Sequence, residues 1–174
     1  MKKLFVLISL STFLFSSAAF AQQQQPQANI GCMDKTIIVQ AHGLMQAFKN
    51  QGMEIYKDAM VTMRSETPFP IAVQLDKGTL YQFIFVGSLE SSKTIMELYD
   101  GDDKKIAQKA LKKGEQPGYI IYSFIPDKTD MYLIVLSQKW KNKSMCGSFS
   151  IMQQPNKNAP AADVDKSKAG TNKK

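Results

Sequence analysis

Histidine is almost missing from this chain. Of 174 residues only His42 carries an imidazole, which removes most routes to general acid–base catalysis and to a nitrogen-ligated metal centre. Gly-x-Ser-x-Gly, phosphate-loop, His-Glu-x-x-His and Gly-x-Gly-x-x-Gly motifs are absent, so nucleophile-elbow hydrolysis, nucleotide binding and zincin chemistry lack their usual signatures. Cysteine is scarce, with Cys32 and Cys146 alone and no Cys-x-x-Cys. No run of about 20 apolar residues occurs, the length a membrane-spanning helix needs.

The apolar segment at the N-terminus is shorter than that. Lys2 and Lys3 precede Leu4 to Phe15, and Ala19-Phe20-Ala21 follows as a small-x-small site, the three-part layout of a secretory signal peptide over residues 1–21. The short lysine-led form is bacterial, so the mature protein is expected in the periplasm or outside the cell. Residues 22–30 read as a polar linker and residues 155–174, with five lysines and two aspartates, as a Lys-rich tail. Neither holds enough apolar surface to offset the entropy of ordering, and both are expected to be disordered. Removing the ends also changes the charge. The whole chain has a formal +7, but residues 22–154 hold 15 Lys/Arg against 13 Asp/Glu, a net of +2. A basic surface of the kind that binds nucleic acid is not expected. Residues 31–154 are one domain's worth of chain.

In an exported chain two cysteines form a disulfide by default. Closing the loop from Cys32 to Cys146 stabilises a fold by about 4 to 5 kcal/mol in the chain-entropy model. Zinc would need more ligands than one histidine leaves, and a nucleophilic Cys–His pair would lose its thiolate to oxidation.

Asp34 is placed to cap a helix. Ile37, Ala41, Leu44, Met45 and Phe48 follow at helical spacing and Gly52 is placed to end it, so one amphipathic helix is predicted over 35–50. Gly43, inside it, reads as a mark of close backbone approach. After Gly52 the period changes to two. Strands are predicted near 59–64, 69–75, 79–86, 94–99, 106–110, 119–125, 131–137 and 145–152, separated by turns such as Asp76-Lys77-Gly78 and Asp100-Gly101-Asp102-Asp103. Short strands without intervening helices predict a mainly β protein, an antiparallel jelly-roll-like sandwich. In 79–86, Tyr81, Phe83 and Phe85 point one way while Leu80, Ile84 and Val86 point the other, and 119–125 and 131–137 are likewise apolar on both faces. A sheet wet on one side would alternate apolar with polar, so the helix is expected to pack over that second face, its start tied by the disulfide to the last strand.

Leu75-Asp76-Lys77-Gly78-Thr79-Leu80-Tyr81-Gln82-Phe83, Ile95 to Gly101, Pro126 to Tyr132 and Gly147 to Ile151 together resemble the bacterial pre-peptidase C-terminal domain over residues 75–151. That resemblance implies a secreted β-sandwich appended to enzymes as an adhesive or export-associated module without catalysis.

Three groups of residues are candidate sites. Asp100, Asp102 and Asp103 share one turn, and oxygen ligands in a tight acidic turn suit calcium, although the EF-hand spacing is absent. Lys139 and Lys141 flank Trp140, with Lys104, Lys105, Lys109, Lys112, Lys113 and Lys143 contributing further charge; the indole could stack on a sugar ring or anchor a partner, or cap the sandwich edge. The third candidate is a cavity between helix and sheet lined by Phe48, Tyr81 and Phe83, which would make the protein a carrier of a small apolar ligand. No cofactor, resident metal or catalytic residue is expected. The expected function is a non-catalytic binding or structural role in the bacterial envelope, with another envelope protein or a glycan as partner. The alternatives are a carbohydrate-binding module using Trp140, a ligand carrier and a hydrolase-associated protein.

Overall fold

The computed structural model describes residues 32–155, so the predicted signal peptide, the linker and all but the first residue of the predicted tail lie outside the described residues. The predicted helix forms as α1, Lys35–Asn50, and its ends follow the sequence signals. The Asp34 carboxylate accepts from the backbone N–H of Thr36 at 2.9 Å and of Ile37 at 3.3 Å, an N-cap whose loss typically costs about 1 kcal/mol. At the other end Gly52 adopts φ +83° and donates to the Lys49 carbonyl at 2.9 Å. The left-handed turn needs the missing Cβ, and it delivers Met53 into the core.

Eight strands follow: β1 Glu54–Arg64, β2 Phe69–Leu75, β3 Tyr81–Gly87, β4 Lys93–Tyr99, β5 Lys105–Lys112, β6 Tyr119–Phe124, β7 Asp130–Lys139 and β8 Ser144–Gln153. They build two antiparallel four-stranded sheets in the orders β1-β8-β3-β6 and β2-β7-β4-β5. The first strand pairs with the last, the second with the seventh, the third with the sixth and the fourth with the fifth. The chain is thus one long hairpin rolled over itself, the jelly-roll arrangement, in which consecutive pairs fall alternately in the two sheets.

Side-chain alternation sorts the core into two layers. Tyr81, Phe83 and Phe85 of β3 join Phe149 and Ile151 of β8 on the inner face, where they meet Val73, Leu75, Met96, Leu98, Tyr132, Ile134 and Leu136 of the other sheet. Ile84, Val86 and Met152 point outward and are buried under Ile37 and Ala41 of α1, with Leu44, Met45 and Phe48 packed around them. The helix lies across β8, β3 and β1, and the Cys32–Cys146 disulfide joins the segment ahead of it to β8 with a Cα–Cα distance of 5.5 Å.

Three expectations need correction. The first strand begins at Glu54, five residues before the predicted start. Its leading half is exposed and charged and so lacks an apolar signal, yet it pairs with β8 from Gln153 inward, and the Tyr56 hydroxyl donates to the Gln74 carbonyl at 2.7 Å. Gly43 marks no close approach: a Cβ there would meet nothing within 4 Å, because the buried side of the helix is carried by Ile37 and Ala41. The carrier cavity cannot form as imagined, since Phe48 lies on the helix side of the sheet and Tyr81 and Phe83 on the inner side.

Candidate functional site

The strand turns gather at two ends of the sandwich, and the two ends differ in charge. One end carries residues 64–68, 88–93, 112–118 and 139–144, with seven Lys/Arg against Glu66, Glu90 and Glu115. The opposite end carries residues 76–80, 100–105 and 125–130, where six aspartates face four lysines. A chain nearly neutral in its folded part is therefore polarised along its strands.

The basic end is built on a buried glutamine. Gln138 continues the inward series Tyr132, Ile134, Leu136 of β7 and is 1% exposed. Its Oε1 accepts from the Ser88 N–H at 2.7 Å, and its Nε2 donates to the Cys146 carbonyl at 2.8 Å. The amide fits because Gly87 and Gly147 pair beside it; a Cβ on Gly87 would fall 2.8 Å from Gln138 Oε1. Both ends of one side chain thus tie the β3–β4 turn to β8, next to the disulfide. Satisfying both groups matters, as a buried polar atom left without a partner costs about 1–3 kcal/mol.

On this base sits Trp140. Its backbone N–H donates to Ser65 Oγ at 2.9 Å, and its carbonyl accepts from the Lys143 N–H at 2.9 Å. Lys141 and Asn142, the two residues of that turn, have φ values of 36° and 54°, the left-handed pair that a two-residue hairpin requires. Asparagine tolerates this region; lysine does so at a cost. The Lys113 and Lys141 ammonium groups lie 4.8 Å and 4.9 Å from the indole centroid, a cation–π arrangement from two sides of the sequence. The indole is half-buried and its Nε1 has no hydrogen-bond partner. Lys139, Lys93 and Lys112 continue the charge as register neighbours across β7, β4 and β5. Like charges placed opposite one another destabilise a sheet; among the described residues only Lys139 of these three has an ion-pair partner, Glu66 at 2.5 Å.

A cavity of about 260 Å³ opens next to this cluster, lined by Ser88, Ser91, Thr94, Lys112, Lys113 and Glu115 among others. Ser91 Oγ donates to the Lys93 carbonyl at 2.7 Å and Thr94 Oγ1 to Ser91 Oγ at 3.3 Å, while one Glu115 carboxylate oxygen caps the Lys112 N–H at 2.8 Å. His42 is exposed on α1 and contributes nothing to this cavity.

Of the predicted patch the structure brings Lys113 to Lys139, Trp140 and Lys141 from more than 25 residues away. It places Lys104 and Lys105 at the opposite, acidic end, because β5 runs the length of the sandwich between them and Lys112. Sequence reasoning did not single out Gln138. The available signal was a polar residue in phase with three inward apolar positions.

Three of the six aspartates at the other end, Asp100, Asp102 and Asp130, are already engaged. Asp100 Oδ1 accepts from the N–H groups of Asp102 at 3.0 Å and Lys104 at 2.9 Å. Lys128 Nζ stands 2.8 Å from Asp130 and 3.5 Å from Asp102. Its hydrogen bond to Asp130 raises the ammonium's pKa and lowers that of the carboxylate. Among the described residues no group of three or more His, Cys, Asp or Glu side chains is arranged to hold a metal ion, and Asp100, Asp102 and Asp103 form a self-bonded turn.

No family model matches the sequence and no curated protein matches it. Solved structures with a similar fold include PliG of Aeromonas hydrophila, a periplasmic lysozyme inhibitor of g-type lysozyme, at 11% identity and a TM-score of 0.44, covering 60% of this chain and 90% of that one. A Bacillus endospore appendage protein, of a family of disulfide-linked pili, aligns at 10% identity and a TM-score of 0.39 over 58% of this chain and 87% of its own. A CBM4 structure aligns at 13% identity and a TM-score of 0.37 over 60% and 79%.

Proposed function

We propose that this chain is an exported, non-catalytic binding protein of the bacterial envelope, and that its basic loop end holds an acidic glycan. Export is supported by the signal-like residues 1–21 and by a disulfide, which persists in oxidising compartments. The resemblance of residues 75–151 to secreted accessory modules agrees with such a role. The single observation that carries the ligand class is the Lys113–Trp140–Lys141 stack beside Lys93 and Lys112. Fixed ammonium groups around a half-buried indole bind carboxylates or sulfates on a sugar chain, while hydroxyls and backbone groups in the adjoining cavity suit its hydroxyls. The same residues offer no acid–base pair, since Glu66 is held by Lys139 and Glu115 by a backbone N–H. Stacking of a neutral sugar on Trp140 is the weaker reading, because the two lysines already lie over the ring.

Affinity electrophoresis of residues 22–174 in gels containing polygalacturonate or dextran tests this. Polygalacturonate is expected to retard the protein, less so at higher salt, and dextran to leave it unretarded. Lys141→Gly should weaken retardation while raising stability by about 0.5–1 kcal/mol, because glycine relieves the left-handed strain. Equal retardation by both polymers, or none by polygalacturonate, overturns the proposal.

A further inference from the structure

A sandwich of two open sheets has four edge strands, here β1, β2, β5 and β6. An unprotected edge is a template for another strand, and natural proteins blunt their edges with charge, proline or bulges. Three of the four follow that rule. β1 carries Glu54, Lys57, Asp58 and Arg64 and a register shift near Tyr56. β2 carries Pro70, and β5 carries Lys105, Lys109 and Lys112. The fourth, β6, is Tyr-Ile-Ile-Tyr-Ser-Phe over residues 119–124, with no charge and no proline. It pairs with β3 on one side, and among the described residues no strand pairs with the other.

The surroundings of that free edge specify what fits it. On its helix side, Tyr119 and Ile121 are only partly buried. A groove of about 640 Å³ lies between α1 and the turn that leads into β6, ending at Gly118 next to Tyr119, with Val39 and Leu89 on its walls at 72% and 63% exposure and Lys35 among its lining residues. On its sandwich side the neighbour is a cation: Lys109 Nζ lies 5.6 Å from the Tyr122 ring centroid, while Lys105, bonded to Glu97, and Lys112, opposite Lys93, are carried on the outer face of the other sheet.

We infer that β6 accepts an extended segment of a partner protein as a fifth strand of its sheet, the segment being apolar at alternate positions and acidic at those between. Backbone hydrogen bonds to the edge supply affinity, and alternate side chains supply specificity. Apolar residues lie on the helix side, toward the groove beside Val39, and acidic ones on the sandwich side reach Lys109. A second copy of this chain fits less well, because β6 against β6 would bring two lysine-lined β5 edges together. The groove borders the Trp140 end through Leu89 and residues 116–118, but the β6 edge and Lys109 take no part in the glycan reading.

The test uses isotope-labelled residues 22–174 and two capped octapeptides, one alternating Glu with Val and one alternating Lys with Val. The Glu–Val peptide at saturation should slow amide exchange of residues 119–124 by about tenfold, and the Lys–Val peptide should not. Lys109→Glu should invert that preference, and Lys57→Glu, on β1 at the opposite edge of the same sheet, should leave it intact. Two results would sink the inference: protection that maps to another edge or is absent with both peptides, and equal protection by the two peptides. Concentration-dependent self-association that protects β6 without peptide also overturns it, assigning the edge to a second copy.

Discussion

The two sheets start from the same strand geometry and end in different environments. In β3, six of seven residues are buried, because the helix seals the outer face that the other sheet leaves open. In β4 and β7 burial alternates with every residue, since their outer face meets water. The sealed sheet uses the cheapest outward side chains for packing, with Ile84, Val86 and Met152 against Ile37 and Ala41. The open sheet still carries Ile95, Leu133 and Val135 outward, but sets Lys93, Glu97, Lys112 and Lys139 among them. Long charged side chains lay their methylene stems over apolar neighbours and keep their ends in water. One sheet is closed by a separate element and the other by its own surface residues, so damage should be concentrated where the cover is separate.

The largest way to break this contrast is to release the cover. Cys32→Ser with Cys146→Ser removes a bridge spanning 114 residues and should cost about 4 to 5 kcal/mol by the loop-entropy estimate. Measured by urea denaturation, the loss should come with faster amide exchange in α1 and the outer face of β8, while the interior of β4 and β7 keeps its protection relative to global unfolding. Uniform loss of protection in both sheets would show that the helix is no separable cover. The contrast sharpens with a matched pair of truncations. Ile84→Ala, under the helix and 1% exposed, should cost about 2–5 kcal/mol, the range for large-to-small changes in a closed core. Ile95→Ala, on the open face, should cost under about 1 kcal/mol, because water already reaches the site. Equal losses would mean that the open face is covered by something in solution.

Much of this arrangement was legible in residue order. Apolar residues on both sides of 79–86 announced a covered sheet, the Asp34 and Gly52 signals bounded the helix that covers it, and the paired cysteines tied one to the other. The same pattern in 131–137 misled, because β7 lies in the other sheet and its outward Leu133 and Val135 are not under the helix. The outer half of β1 was not legible, because Glu54 to Asp58 lie along an exposed edge and carry no apolar alternation. The candidate site was half legible. Trp140 and its flanking lysines are adjacent in sequence, and Lys113 was among the lysines grouped with them, but charge alone did not separate it from Lys104 and Lys105 at the far end of β5. Gln138 acts through contacts with Ser88 and Cys146 that only the rolled-up chain creates. The unguarded edge was invisible for a related reason: β6 reads as an ordinary apolar strand until the sheet order shows that nothing follows it.

The smallest effect concerns the polar device on the open face. Glu97 accepts from Lys105 Nζ at 2.6 Å and from the Tyr99 hydroxyl at 2.9 Å. Partial burial pushes its carboxyl pKa up, but the hydrogen bonds from Lys105 and Tyr99 outweigh that and hold it below the ordinary 4.5. A carboxylate with a folded pKa below its unfolded one stabilises the protein above the unfolded value, and that contribution is lost as pH falls through the folded value. Glu97→Gln should therefore cost no more than about 1 kcal/mol at pH 7, the range for pairs with an exposed partner. Its stability curve should converge on that of the unsubstituted protein as pH drops below about 4.5. A deficit that persists undiminished into acid would show that Glu97 acts through packing rather than charge, and the open sheet would then depend on shape in the same way as the sealed one.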